Sequence, residues 1–131
     1  MTVKNKTTRS ILFADLSHTA TGYNAPTFPL GVSWVYSYAK SIFLDKYHYN
    51  MFRFPEPLIK ELTQSSFDIL ALSNYSWNFE LGYNIAKYAK KVNKDATIIF
   101  GGPNYPTDAK EKKDYLIKYD LIDFYIELEG E

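Results

Sequence analysis

Short, nearly continuous apolar runs alternate along this chain with longer stretches whose apolar residues recur at helical spacing. That alternation restricts the fold more than any other feature. Phe67 to Ser73 (FDILALS) and Ala96 to Phe100 (ATIIF) are runs of the kind found in strands covered on both faces. Ile11-Leu12-Phe13-Ala14 reads as a first buried strand ending near Asp15. Tyr47 to Phe54 alternates, and its His, Asn and Arg suit a sheet edge; Leu121 to Ile126 reads as a last strand. Between these runs, Leu30, Trp34, Val35, Tyr38, Ala39 and Ile42 predict a helix over Leu30 to Leu44 with one broad buried face. Pro55 and Pro57 open a short helix with Leu58, Ile59 and Leu62 inward. Ser76 is the candidate N-cap of a helix to about Val92, with Leu81, Ile85, Ala89 and Val92 on one stripe. A charged helix follows over Asp108 to Tyr119.

Strands that alternate with helices predict an α/β fold, because parallel neighbours need crossovers and helices supply them. Five strands with no second half favour a flavodoxin-like, Rossmann-like three-layer sandwich: a parallel sheet of order 2-1-3-4-5 with helices on both faces. The chain has 131 residues, enough for one domain. No repeat or linker divides it, so residues 1–9 are expected to form a polar tail and residues 10–131 the domain.

Composition removes several classes of function. Lys+Arg and Asp+Glu balance at 15 each, so no cationic field exists to hold nucleic acid by bulk charge. No apolar run approaches the roughly 20 residues of a spanning helix. The polar, basic start is no secretory signal, and a cytoplasmic location is expected. The absence of cysteine removes disulfides, thiol catalysis and iron–sulfur or zinc–thiolate sites from this chain. Aromatic residues reach 18%, an excess that suits packing on something flat and large.

In such a sheet, ligands bind beyond the carboxyl ends of the strands. Those ends carry the long Asp15 to Phe28 loop, then Ser73-Asn74-Tyr75-Ser76-Trp77, Gly101-Gly102-Pro103-Asn104, and Glu127 to Glu131. The glycine pair would admit a ligand or another backbone closely, or simply make a tight turn. Ser73 and Ser76 offer hydroxyls as ligand contacts or as caps. Trp77 is placed to cover a ring system or to fold onto the core. Thr19 to Asn24 is similar to the phosphate loop of flavodoxins, but Pro26 and Pro29 separate it from the next helix. Asp15, His18 and Gly22 are similar to the Asp-x-His-x-x-Gly signature of cobalamin carriers, with the Asp15–His18 and His18–Gly22 spacings each one residue too long. His18 is therefore a weak candidate cobalt ligand. His48 falls in the edge strand, away from the rim, and no nucleophile–base–acid set is evident. Asp15, Glu129 and Glu131 are carboxylates at strand ends that sequence alone does not pair.

Four segments recur together in one family. They are Pro29-Leu30-Gly31-Val32, Leu72-Ser73-Asn74-Tyr75-Ser76-Trp77-Asn78, Ile99-Phe100-Gly101-Gly102-Pro103-Asn104, and Asp123-Phe124 leading to Glu129-Gly130-Glu131. In this order the chain, from about Ser10 to Glu131, resembles the N-terminal cobalamin-binding domain of cobalamin-dependent radical S-adenosylmethionine enzymes. Leu128 stands where many relatives carry Gly. The resemblance implies a piece of a longer enzyme, with a C-terminal radical S-adenosylmethionine domain in cis holding a 4Fe–4S cluster and S-adenosylmethionine. It implies cobalamin as the group bound here, for methyl transfer or a related radical reaction, with no catalytic residue in this domain. It further implies that Ser73 and Ser76 bond the nucleotide tail, Gly101 and Gly102 admit it, and Tyr75 and Trp77 flank it. Leu30 and Gly31 would underlie the corrin edge, and Asn74, Pro103, Asn104, Glu129 and Gly130 complete the site.

Two other classes stay open at this level. One is an FMN-binding electron carrier, with Tyr75 and Trp77 sandwiching the isoalloxazine. The other is a receiver-like module, disfavoured because the first strand lacks an acidic pair and the third ends on Ser73-Asn74.

Overall fold

The computed structural model describes residues 9–19 and 28–127. Within them, β1 (Arg9–Ala14) leads to α1 (Leu30–Phe43), a 3₁₀ turn (Leu44–Lys46) and β2 (Tyr47–Phe52). Then come α2 (Pro55–Gln64), β3 (Ile69–Ser73), α3 (Phe79–Val92), β4 (Thr97–Gly101), α4 (Ala109–Lys118) and β5 (Phe124–Ile126). The five strands form one parallel sheet of order β2-β1-β3-β4-β5, as the sequence predicts. This is the flavodoxin-like arrangement, with β2 at an edge.

Local chemistry sets the helix boundaries. Pro55 takes the first position of α2, where its missing N–H and fixed φ cost nothing. Asp108 caps α4, its carboxylate accepting from the amides of Lys110 and Glu111 at 2.9 and 3.2 Å. The start of α3 corrects the sequence reading. The residue at the helix boundary is Asn78 rather than Ser76, and no side chain caps the helix there: residues 76–78 form a turn in which Asn78 Oδ1 accepts the Tyr75 amide at 2.9 Å.

The two faces of the sheet differ. Strand residues Leu12, Ala14, Leu70, Leu72, Ile98 and Phe100 share one core with Leu58 and Leu62 of α2 and with Phe79, Tyr83, Ile85, Ala86 and Ala89 of α3. Tyr115 and Tyr119, on and just after α4, pack against the same group. The opposite face carries α1, seated over β1 and β2 through Tyr36, whose ring meets Phe13 and Tyr49 edge-on. The expected broad buried face of α1 is not present. No residue of that helix is buried, and Leu30, Trp34, Tyr38 and Ile42 are all more than half exposed. Helical periodicity reports an apolar arc, not whether anything covers it. Ile59 and Val92, also read as inward, lie exposed at the ends of their arcs.

Candidate functional site

The carboxyl ends of the strands bring most of the expected residues to one rim, and strand alternation divides them into two groups. Ser73 and Gly101 are register partners in β3 and β4. Both continue the set Ile69, Ala71, Thr97, Ile99 that points to the α1 side of the sheet. Asn74, Gly102 and Asn104 lie on the other side, under α4.

The α4 side is closed by hydrogen bonds. Asn74 is fully buried, and its amide Nδ2 donates toward the Asn104 carbonyl at 2.9 Å and the Tyr115 and Tyr125 hydroxyls at 3.0 Å each. Its Oδ1 accepts from Asn104 Nδ2 at 3.0 Å. Two protons facing three oxygens leave no capacity for a ligand. The Tyr125 hydroxyl donates to the Gly102 carbonyl at 2.9 Å, and its ring stacks on Tyr105 at 3.8 Å. Gly102 has φ +131°, and a Cβ there would sit 2.7 Å from the Asn74 carbonyl oxygen. The close approach Gly102 permits is thus to the Asn74 backbone, one of the two outcomes its sequence left open. Burial raises the Tyr115 phenol to about 12 against the lowering pull of Asn74, and raises that of Tyr125 further. Neither phenol is an acid or base near neutrality.

The α1 side is open. Asp15, at the end of β1, accepts from Ser73 Oγ at 2.5 Å and from Asn78 Nδ2 at 3.2 Å, while Asn78 Nδ2 also reaches Ser73 Oγ at 3.0 Å. This triad joins β1, β3 and the start of α3. Ser73 keeps lone-pair capacity but commits its proton to Asp15. Beside it, Gly101 lacks a side chain, and a Cβ there would meet Ile126 at an ordinary 3.4 Å. Gly31, in the first turn of α1, faces Tyr75; a Cβ there would lie 3.7 Å from the phenol oxygen. Tyr75 stacks flat on Trp77, with centroids 4.5 Å apart and planes within 9°. Because the rings lie against each other, no isoalloxazine is sandwiched between them, and the expected FMN arrangement is corrected. What they offer is the exposed Trp77 face, with Leu30, Phe28 and Ser76 also exposed at this rim.

His18 Nε2 lies 3.1 Å from the Trp77 carbonyl, which can only accept, so Nε2 carries the proton. That bond pins the ring to the Trp77 turn. His48 lies exposed on β2, paired with Ser10 near the amino ends of the strands. A polar depression there is lined by Ser10, His48, Asn50, Glu61, Ser65 and Ser66, far from the rim. Pro103 is exposed. Glu129, Gly130 and Glu131, with the Thr21 to Asn24 part of the first loop, fall outside the described residues. Among the described residues, no group of three His, Cys, Asp or Glu is placed to hold a metal ion. No described helix is long and apolar enough to cross a membrane. Sequence reasoning missed Asn78, Tyr115 and Tyr125. Alternation was the available signal for Tyr125, since its register partner Phe100 points to the α4 side.

No family model matches the chain. A stretch of 64 residues, 49% of the chain, is 31% identical to 2-(S-pantetheinyl)-carbapenam-3-carboxylate methyltransferase of Streptantibioticus cattleyicolor and spans 9% of that relative. Among solved structures, adenylate cyclase from Rhodopirellula baltica superposes with a TM-score of 0.57 at 10% identity, over 91% of this chain and 75% of that one. A response regulator from Burkholderia pseudomallei, with a phosphorylated aspartic acid, a calcium ion and citrate, gives 0.57 at 12% identity, over 91% and 59%. These likenesses agree with the flavodoxin-like fold read from the strand order.

Proposed function

We propose that this domain binds cobalamin and presents the corrin to a radical S-adenosylmethionine domain of the same polypeptide, for methyl transfer or a related radical reaction. The observation that carries the reading is the rim on the α1 side, where Ser73 and Gly101 end neighbouring strands without a bulky side chain, Gly31 faces the Tyr75 phenol, and Tyr75 stacks on the exposed Trp77. That geometry fits a large flat group with a narrow appendage: the broad part on the Trp77 and Leu30 surface, the appendage between Gly31 and Gly101. The partial match to a methyltransferase points the same way.

In this reading the residues present divide the work. Leu30 and Trp77 give apolar area to the corrin edge. Gly31 and Gly101 leave room for the nucleotide tail, and Ser76 and the acceptor lone pair of Ser73 offer it hydrogen bonds. Asn74, Gly102 and Asn104 hold the loops in place from behind. When bound, cobalamin supplies the cobalt that carries a methyl group; the cluster and S-adenosylmethionine belong to the other domain. His18 is held by the Trp77 carbonyl and is not assigned to cobalt.

Hydroxocobalamin titrated into this chain, followed by absorbance, tests the proposal. Wild type should bind and His18→Ala should bind with an unaltered spectrum, whereas Gly101→Val and Gly31→Leu should fold but fail to bind. FMN titrated in parallel should give no change. Absence of binding by wild type, or undiminished binding by both glycine variants, would overturn the reading.

A further inference from the structure

The strand order reverses beside β1. The chain steps from β1 out to β2, then returns past β1 to β3, so the connections leaving β1 and β3 diverge onto opposite faces of the sheet. Ligands of open parallel sheets bind in the crevice that this divergence opens beyond the strand ends. Asp15 and Ser73 meet across that crevice.

Asp15 extends β1 by one residue, its N–H bonded to the Phe52 carbonyl at 3.1 Å. Strand alternation puts its side chain on the side of Phe13, whose ring meets Tyr36 of α1, and therefore on the open side of the rim. Both donors that reach the carboxylate, Ser73 Oγ and Asn78 Nδ2, meet the same oxygen, Oδ1. Oδ2 takes no hydrogen bond from any described residue, and the side chain is half-buried. The ion pairs among the described residues, Lys90–Asp123 and Lys112–Glu127, do not involve it.

The triad uses one acceptor oxygen, which an amide would supply as well. The second oxygen and the negative charge are surplus to holding β1 against β3. An acceptor-only oxygen left open at a ligand crevice selects a donor, and it repels phosphate or carboxylate. Among the described residues, no group of three metal-ligating side chains includes it. We propose that Asp15 Oδ2 is a specificity-determining acceptor of this rim, taking a hydrogen bond from a neutral N–H or O–H donor of the bound cofactor. The inference rests on the cobalamin reading. Cobalamin carries such donors in two places, the primary amides around the corrin and the ribose hydroxyl of its tail.

Asp15→Asn tests this while keeping the side chain's shape. The Ser73 and Asn78 donors hold the new amide oxygen inward, so its NH2 faces the ligand where an acceptor stood. Hydroxocobalamin, followed by absorbance, should bind the folded variant about tenfold more weakly than wild type. Changes on the ligand complete a double-mutant cycle. Cobalamin with one amide hydrolysed to a carboxylate removes a corrin donor, and cobinamide lacks the ribose. The change that removes the partner of Asp15 should cost wild type about tenfold more than it costs Asp15→Asn. Excess loss with a hydrolysed amide assigns the donor to the corrin, and excess loss with cobinamide assigns it to the tail. If circular dichroism shows Asp15→Asn unfolded, Asp15→Thr, which keeps one acceptor for Ser73, takes its place in the cycle. Equal hydroxocobalamin affinity in wild type and the folded variant would overturn the proposal. So would ligand changes that cost both proteins alike, which would make Asp15 a strut alone. Absence of hydroxocobalamin binding by wild type would overturn the cobalamin reading itself, and this inference with it.

Discussion

A Cβ on Gly102 would lie 2.7 Å from the carbonyl oxygen of Asn74, closer than a Cβ carbon sits to a backbone atom without displacing it. The backbone at Gly102 also has φ +131°, a region that L side chains rarely adopt. The two constraints act together. Gly102→Ala should therefore destabilise the fold by about 2–4 kcal/mol, combining backbone strain with a clash that backbone cannot easily relieve. Urea unfolding checks this, and a variant as stable as wild type would contradict it. Gly101→Ala has no such conflict and should unfold close to wild type.

Behind that contact, Asn74 ties the β3 loop to Asn104, Tyr115 and Tyr125. Asn74→Ala strands several buried groups at once and should cost about 2–4 kcal/mol. Tyr125→Phe removes the bond to the Gly102 carbonyl but keeps the stack on Tyr105, and should cost about 1 kcal/mol. The order of these two costs is the test; a Tyr125→Phe loss equal to that of Asn74→Ala would mean the phenol, not the amide, organises the loop.

The strand order was legible because buried parallel strands leave unbroken apolar runs, and FDILALS and ATIIF could be little else. The covering of α1 was not. Its apolar arc through Trp34 and Tyr38 has the same pattern whether the partner is a strand of this sheet or another segment. The start of α3 was placed two residues early because a Ser ahead of an apolar stripe reads as a cap. Asn78 sets the boundary instead, its side chain spent on the Tyr75 amide, Ser73 and Asp15, the last a residue 63 positions away that local reading does not see. The glycine pair was recognised as a place of close approach. Splitting Gly101 from Gly102 needed the register of β4, because adjacent strand residues face opposite sides.

Alkaline pH should weaken the protein through two tyrosines. The Tyr115 and Tyr125 phenols are raised by burial, the former to about 12, while in the unfolded chain they ionise near the usual value of about 10. Below pH 10 both states hold these protons and the contribution is fully present. As pH rises toward 12 the unfolded state releases protons that the folded state keeps, so stability falls. Denaturation midpoints should drop across this window, and less steeply in Tyr115→Phe. In a spectroscopic titration of the folded protein, Tyr115 and Tyr125 should ionise last of the 12 tyrosines, with Tyr49 and Tyr83, also raised by burial, ahead of them. A single common transition would contradict the assignment.

The Asp15–Ser73–Asn78 triad separates folding from ligand binding. Asp15→Ala removes the acceptor of two donors and leaves both facing partly buried space. With one partner charged, this should cost about 2–3 kcal/mol. Ser73→Ala leaves the Asn78 to Asp15 bond at 3.2 Å intact and should cost less, about 1–2 kcal/mol. If the Ser73 oxygen also accepts from the nucleotide tail, Ser73→Ala should weaken hydroxocobalamin binding by about 0.5–1.5 kcal/mol under conditions where the variant is fully folded. Circular dichroism confirms the folded state and the absorbance titration reads the affinity. An affinity unchanged in folded Ser73→Ala would make the hydroxyl a strut between β1 and β3, leaving tail recognition to Gly31, Gly101 and Ser76.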